Sequence, residues 1–257
     1  MKTIVYMGSK EIGYGCLEYL FNKLDDFNAN IIGVLTNKRG DKIKDFCRLY
    51  NIKLIDDLQN FLKFINPDFI ISVQYHEILK KEHINKARKI AINLHMAPLP
   101  EYRGCNQFSY AILNNDKYFG TTIHQLEEGI DSGAIIAEKR FIISKNCWVN
   151  ELYKLTYKKS IELFKENIRN IINGDFELIP QNFYKEKRNF SIHYRKEIER
   201  LKVIDLNWSK EKIERYIRAT SMPGFEPPYT MINGEKIYFI REERFNNDSI
   251  CRFKSTV

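Results

Sequence analysis

The chain has 257 residues, 44% of them hydrophobic, which is ample for the core of one large domain or of one domain with an appendage, and a globular enzyme is the default class. Its net charge of +8 admits nucleic acid or phosphorylated partners, but the excess is spread through Lys-, Asn- and Ile-rich sequence without a dominant basic block, so a solvated basic surface is the simpler reading. The five cysteines Cys16, Cys47, Cys105, Cys147 and Cys251 form no C-x-x-C pair and are odd in number, as expected of reduced cytosolic thiols. The run Thr3 to Met7 is too short for a signal-peptide core and no apolar run approaches the ~20 residues that span a bilayer, so neither export nor membrane insertion is expected.

In chain order, KTIVYMGSKEIGYGCLEYLFNKL reads as a buried strand, a Gly-containing turn and a helix with Leu17, Leu20, Phe21 and Leu24 at helical spacing. A strand at NIIGVLTN, a helix near IKDFCRLYN, a short extended KLI, a helix around Leu58 to Ile65 and a strong strand at PDFIISV follow. AINLH is a further strand, Asn106 to Leu113 a helix, GTTIHQLEE and AIIAEKRFII extended segments, and Asn150 to Asn173 a long helix. Alternating strands and helices predict an α/β domain with a mostly parallel sheet over residues 1 to about 180.

After Pro180 the segment QNFYKEKRNFSIHYRKEIER reads as a polar, turn-rich connector, so residues 181–257 are expected to form a connector and a small extension. WSKEKIERYIRAT has an N-cap candidate in Ser209 and carries Ile213, Tyr216 and Ile217 on one face. Asn233-Gly234 between YTMI and EKIYFI predicts a type I′ hairpin, because both turn residues must accept positive φ. The final FNNDSICRFKSTV is either a last strand or a frayed end.

Three polar groups stand at the ends of apolar runs, where active-site groups sit in α/β domains. Asn93 and His95 are two apart in IAINLH and share a strand face, and Asp131 follows a later apolar run in EEGIDSG, where a turn role is the competing reading. His124, His83 and His193 read as surface or packing residues. The turn GSKEIGYG is neither a P-loop nor a dinucleotide fingerprint, yet backbone N–H groups at a helix start suit an anion, and Lys10 is either beside that phosphate or an ordinary surface lysine. SVQYHEIL follows a strong strand and should lie at the carboxyl edge of the sheet. No cluster has metal-ligand spacing, and no metal is expected.

The combination N-x-H, P-L-P-x-Y-R-G and E-x-G-I-D-S-G, spanning Asn93 to Gly133, resembles the folate-dependent formyltransferases, and the resemblance covers residues 1 to about 180. It implies a Rossmann-like formyltransferase fold, 10-formyltetrahydrofolate as donor, and catalysis by Asn93, His95 and Asp131. Tyr75, His76, Ile78, Gly129 and Ile130 become candidate folate neighbours. The Q-Y-H run looks like the subgroup acting on nucleotide-linked amino sugars, and the residues after Pro180 are expected to be too few for a connector plus a complete tRNA-binding barrel. The implied acceptor is a dTDP-linked amino-dideoxy-hexose for surface polysaccharide, with dTDP-4-amino-4,6-dideoxyglucose ahead of the 3-amino sugars. Lys10, Tyr102 and Arg103 are its candidate contacts, with Arg103 also readable as a structural support, and Phe225 and Tyr229 either pack on the base or sugar or belong to a core. The hairpin could pair two subunits as a homodimer. The competing reading is formylation of methionyl-tRNA with a shortened tail, and a silent folate-binding module is the alternative from another class.

Overall fold

Lys2–Gly8 (β1) is apolar almost throughout because it is buried on both faces, the pattern of an interior parallel strand. In the computed structural model, which describes residues 1–241 and the backbone of 251–255, β1 leads through Ser9 into α1 (Lys10–Phe21). Then follow α2 (Leu24–Phe27), β2 (Ala29–Leu35), α3 (Asp41–Leu49), α4 (Leu58–Lys63), β3 (Phe69–Val73), α5 (Lys81–Ile84) and β4 (Ile90–His95). The next elements are β5 (Arg103–Gly104), α6 (Gln107–Leu113), β6 (Tyr118–Gln125), β7 (Ile135–Ile142) and α7 (Val149–Asn173). A 3-10 turn at Gln181–Tyr184 precedes β8 (Ile192–His193), α8 (Glu197–Leu201), α9 (Lys210–Thr220), β9 (Tyr229–Ile232), β10 (Glu235–Arg241) and β11 (Cys251–Ser255).

The chain divides into two compact units, Met1–Arg103 with Gly120–Arg140 and Thr156–Ser191 forming the first, and Gly104–Phe119 with Phe141–Leu155 and Ile192–Val257 the second. In the first, the sheet order is β2-β1-β3-β4-β6-β7. β1 runs parallel to β2 and β3, β3 runs parallel to β4, and β6 is antiparallel to β4. The architecture is the mostly parallel α/β sheet that the alternating pattern predicts. Because β1 has β2 on one side and β3 on the other, the winding reverses there, and ligands bind such sheets outside the carboxyl ends at that point. Val5, Met7, Leu35, Leu62, Ile70 and Ala91 form one side of the core. Helix α1 approaches β1 so closely that a Cβ on Gly13 would stand 3.1 Å from the Gly8 carbonyl carbon, and the buried Tyr6 hydroxyl donates to the Gly13 carbonyl at 2.6 Å.

In the second unit, Ser209 caps α9 by accepting from the Lys212 N–H at 3.4 Å. Ile204, Ile217 and Phe239 make its small core, with Trp148, Trp208, Ile213 and Tyr216 packed on it. Asn233 and Gly234 have φ of 51° and 83°, as a type I′ turn requires, and join β9 to β10. The backbone of β11 pairs antiparallel with β10, so the last-strand reading of the tail holds at 251–255. The other tail residues and the side chain of Cys251 lie outside the described residues.

The stretch after Pro180 is more ordered than a polar linker. The Arg188 guanidinium donates to the Leu99 carbonyl at 2.8 Å, the Ser191 hydroxyl donates to the Glu101 carbonyl, and the Arg103 N–H donates to the Ser191 carbonyl at 3.1 Å. These polar residues satisfy backbone groups of distant loops, and hydrophobic periodicity carries no trace of such bonds.

Asp68, just before β3, accepts from the Thr3 N–H at 2.8 Å and from Arg88 Nη2 at 3.0 Å. Burial pushes its carboxyl up, but the Thr3 and Arg88 bonds outweigh that and hold it below the usual carboxylate range. A depressed folded-state value contributes stability above the unfolded value, and that contribution is lost as pH falls through the folded one. Asp68→Asn is therefore expected to cost ~1–3 kcal/mol at neutral pH and to flatten the acid limb of the stability curve, measured by urea unfolding between pH 3 and 7. An unchanged acid limb would contradict the assignment.

Candidate active site

Alternation along a strand sends Asn93 and His95 to one face of β4. The antiparallel register then sets His124 of β6 opposite Asn93, and Thr122 opposite His95. His95 Nε2 lies 2.7 Å from the Tyr102 carbonyl oxygen, which can only accept, so Nε2 carries hydrogen and Nδ1 is left to face the crevice. His124 Nδ1 lies 2.8 Å from the Gln125 carbonyl, which by the same argument leaves Nε2 as the acceptor. That acceptor meets Asn93 Nδ2 at 3.2 Å, which fixes which end of the amide faces it and leaves Nδ2 a second N–H.

Asp131 lies between the two rings, with Oδ2 3.5 Å from His95 Nδ1 and Oδ1 3.5 Å from His124 Nε2. These separations exceed a direct hydrogen bond, and with hydrogen on Nε2 of His95 and on Nδ1 of His124 the two facing nitrogens are acceptors, so the carboxylate bonds to either only when that ring carries a second proton. Asp131 has φ of +46°, a conformation a non-glycine residue holds only when its surroundings impose it. Close by, a Cβ on Gly133 would stand 1.9 Å from the Gln125 carbonyl oxygen. Gln181 Nε2 donates to the carbonyls of Asp131 and Gly133, both at 2.8 Å.

The loop after β4 is held from several sides. Leu99-Pro100 is cis, Thr122 Oγ1 donates to the Ala97 carbonyl at 2.9 Å, and Thr121 Oγ1 donates to the His95 carbonyl at 2.9 Å. Tyr102 is buried, and its carbonyl holds His95. Arg103 donates through Nε and Nη2 to Gln181 Oε1 at 3.0 and 2.7 Å and lies over the Phe190 ring. Burial lowers its guanidinium from the ordinary value, against the opposing pull of Asp131.

Of the folate candidates, Ile78 and Gly129 line one cavity of about 410 Å³ together with Leu79, Lys80, Lys81, Glu82 and Glu128. Ile78 is 77% exposed, a large apolar side chain without cover. Tyr75 packs against the core cluster that holds Leu35, Ile70 and Leu79, and burial followed by Glu77 pushes its hydroxyl up to about 12. His76 is exposed beside Glu77, and Ile130 is half-buried next to Asp131. Lys10 Nζ donates to Gln74 Oε1 at 2.9 Å, and its backbone N–H is taken by the Arg39 carbonyl at 2.8 Å. Its cleft is shared with Glu11, Arg39, Gly40, Asp41 and Lys42, so the sign of charge there is mixed. Phe225 and Tyr229 belong to the second unit, Phe225 63% exposed and Tyr229 half-buried against Tyr238. Among the described residues no group of three or more His, Cys, Asp or Glu could hold a metal ion.

Sequence reasoning passed over His124 and Gln181. The signal for His124 was its place in the alternating GTTIHQ run, but only the β4–β6 register turns that alternation into a contact with Asn93. Gln181 gave no signal, since its partners are 48, 50 and 78 positions away.

Residues 48–168 match the formyl transferase family. A methionyl-tRNA formyltransferase of Clostridium tetani is 30% identical over 256 residues, 93% of this chain and 79% of its own. A GDP-perosamine N-formyltransferase of Brucella melitensis is 28% identical over 242 residues, 89% of this chain and 90% of its own. Among solved structures, an N-formyltransferase from Helicobacter canadensis in complex with folinic acid and dTDP-3-aminofucose superimposes with a TM-score of 0.77 at 26% identity, over 95% of this chain and 93% of that one. WlaRD, a sugar 3N-formyl transferase with dTDP and 5-N-formyl-THF, gives 0.76 at 26% identity over 96% and 92%. The chain is a formyltransferase and belongs to the formyl transferase family.

Gly133→Ala is expected to push the Gln125 carbonyl or the Asp131 loop aside, at ~1–3 kcal/mol of stability, read as a lowered urea midpoint with unchanged m-value. A midpoint equal to the parent's would show that the loop has room the geometry denies.

Proposed function

We propose that this chain transfers the formyl group of 10-formyltetrahydrofolate to the amino group of a nucleotide-linked amino-dideoxy-hexose, with dTDP as the carrier in the leading reading. The observation that carries it is the Asp131 carboxylate set between His95 Nδ1 and His124 Nε2, with the Asn93 amide on the same sheet face. The amine lone pair attacks the formyl carbon, and the carbonyl oxygen gathers negative charge. The second Nδ2–H of Asn93 can donate to that charge, and so can His95 through Nδ1 once that nitrogen gains a hydrogen in addition to the one on Nε2. Asp131 takes the proton the amine loses, directly or through a water molecule. Collapse of the tetrahedral intermediate breaks the bond to N10 of the folate, which takes up the proton that Asp131 received. His124 holds the Asn93 amide in its donating orientation.

The carrier reading is supported by the two relatives at 26% identity whose structures contain dTDP or a dTDP-sugar, while the Brucella relative acts on a GDP-linked sugar. dTDP-4-amino-4,6-dideoxyglucose is the lead acceptor, ahead of the 3-amino sugars, with the product destined for surface polysaccharide. Ile78, Gly129 and their cavity are assigned to the folate side, with Tyr75, His76 and Ile130 beside it. Tyr102 and Arg103 are assigned to the acceptor, and Lys10, Phe225 and Tyr229 stay candidates for it. A cytoplasmic setting fits the four described cysteines, which are unpaired thiols. Among the described residues no helix is long and apolar enough to cross a membrane. The second reading, formylation of methionyl-tRNA, is favoured by the 30% identity to the Clostridium tetani enzyme.

Purified protein with 10-formyltetrahydrofolate should add one formyl mass to a dTDP-amino sugar in a panel of dTDP-3-amino and dTDP-4-amino sugars, GDP-perosamine, UDP-4-amino-arabinose and methionyl-tRNA. Asn93→Ala and His95→Ala should each lower kcat by ~10²- to 10³-fold, and Asp131→Asn should do at least as much. Labelling of the tRNA alone would replace the sugar reading, and no product from any acceptor would end it. We also propose that the β9–β10 hairpin, which exposes Met231 and Ile232 at 50% and 46%, pairs two copies. Sedimentation should then show a dimer that Met231→Lys dissociates, whereas a monomeric parent protein would rule the pairing out.

A further inference from the structure

The hydrogen-bonding capacity of Gln181 is filled. A carboxamide has two N–H donors and two acceptor lone pairs, and all four are in use: Nε2 donates to the Asp131 and Gly133 carbonyls, and Oε1 accepts from Nε and Nη2 of Arg103. The residue is 4% exposed, so bulk water does not compete for these partners. Its orientation is unambiguous, because a guanidinium only donates and a backbone carbonyl only accepts. Both carbonyls belong to the loop that holds Asp131 at φ +46°, a conformation that relaxes unless the surroundings over-determine it.

We infer that Gln181 is a positioning residue: it clamps the 131–133 loop so that the Asp131 carboxylate stays between His95 and His124, and it ties that loop to Arg103. The inference rests on the reading of Asp131 as the proton acceptor of formyl transfer. Gln181 does not touch the reacting atoms. Its effect passes through the loop backbone, so its loss lowers turnover.

Two substitutions of similar size separate the clamp from simple packing. Gln181→Met removes all four bonds. Gln181→Glu keeps an acceptor for Arg103 but sets a carboxylate against the two loop carbonyls, which it cannot donate to while ionised. The first readout is hydrogen–deuterium exchange of the peptide covering 127–134, which needs no acceptor: exchange at least tenfold faster in both variants is expected, and exchange equal to the parent's in either overturns the clamp. The second is steady-state kinetics with 10-formyltetrahydrofolate and the panel acceptor that the parent turns over. Both variants should lose at least tenfold in kcat. Neither should lower the residual rate further in an Asp131→Asn background. A Gln181→Glu enzyme with full kcat beside a crippled Gln181→Met enzyme would show that only the Arg103 bonds matter and would overturn the inference. An Asp131→Asn enzyme with full activity would instead refute the proposed chemistry, while the exchange result would still decide whether Gln181 holds the loop.

Discussion

The register of β6 against β4 is the constraint from which the site follows. Strand β4 presents Asn93 and His95 on one face, and the antiparallel pairing sets His124 opposite the first and Thr122 opposite the second. A slip of one residue would send His124 to the other face of the sheet and leave the Asn93 amide free to turn. The two threonines fix the strand further, since Thr121 Oγ1 donates to the His95 carbonyl and Thr122 Oγ1 to the Ala97 carbonyl. Hydroxyls that look like ordinary β-branched filling therefore hold the backbone from which the histidine ring projects.

On that frame the polar groups determine one another's hydrogen positions. Two backbone carbonyls, of Tyr102 and Gln125, each take one N–H from an imidazole, and each ring then has one nitrogen left for the crevice. Asp131 meets both of those nitrogens. A site built in this way is preorganised by backbone atoms, which cost no reorganisation when charge develops. Gln181 holds the loop of Asp131 through two of its carbonyls, and the absence of a Cβ at Gly133 lets that loop pass close to the Gln125 carbonyl.

Much of this was legible in the sequence, for local reasons. The α/β alternation, the α9 cap at Ser209 and the Asn233-Gly234 turn depend on neighbours a few residues apart, and periodicity reports such neighbours well. Asn93 and His95 share a face because they are two apart on a strand. His124, in contrast, reads as a packing residue, and burial alone does not distinguish the two roles: the ring is 1% exposed and still faces Asp131. The residues after Pro180 look like a linker because their composition is polar. Arg188, Ser191 and Gln181 spend that polarity on carbonyls far away in sequence, which only the folded chain reveals.

The most direct test of this account is the tautomeric state of the two imidazoles, read from 15N chemical shifts of protein labelled at its histidines, with His95→Gln and His124→Gln used for assignment. The account predicts, for the neutral rings, hydrogen on Nε2 of His95 and on Nδ1 of His124. Hydrogen on Nε2 of His124 would remove the acceptor for Asn93, contradict the amide orientation on which the oxyanion stabilisation depends, and require the site to be rebuilt around a different donor.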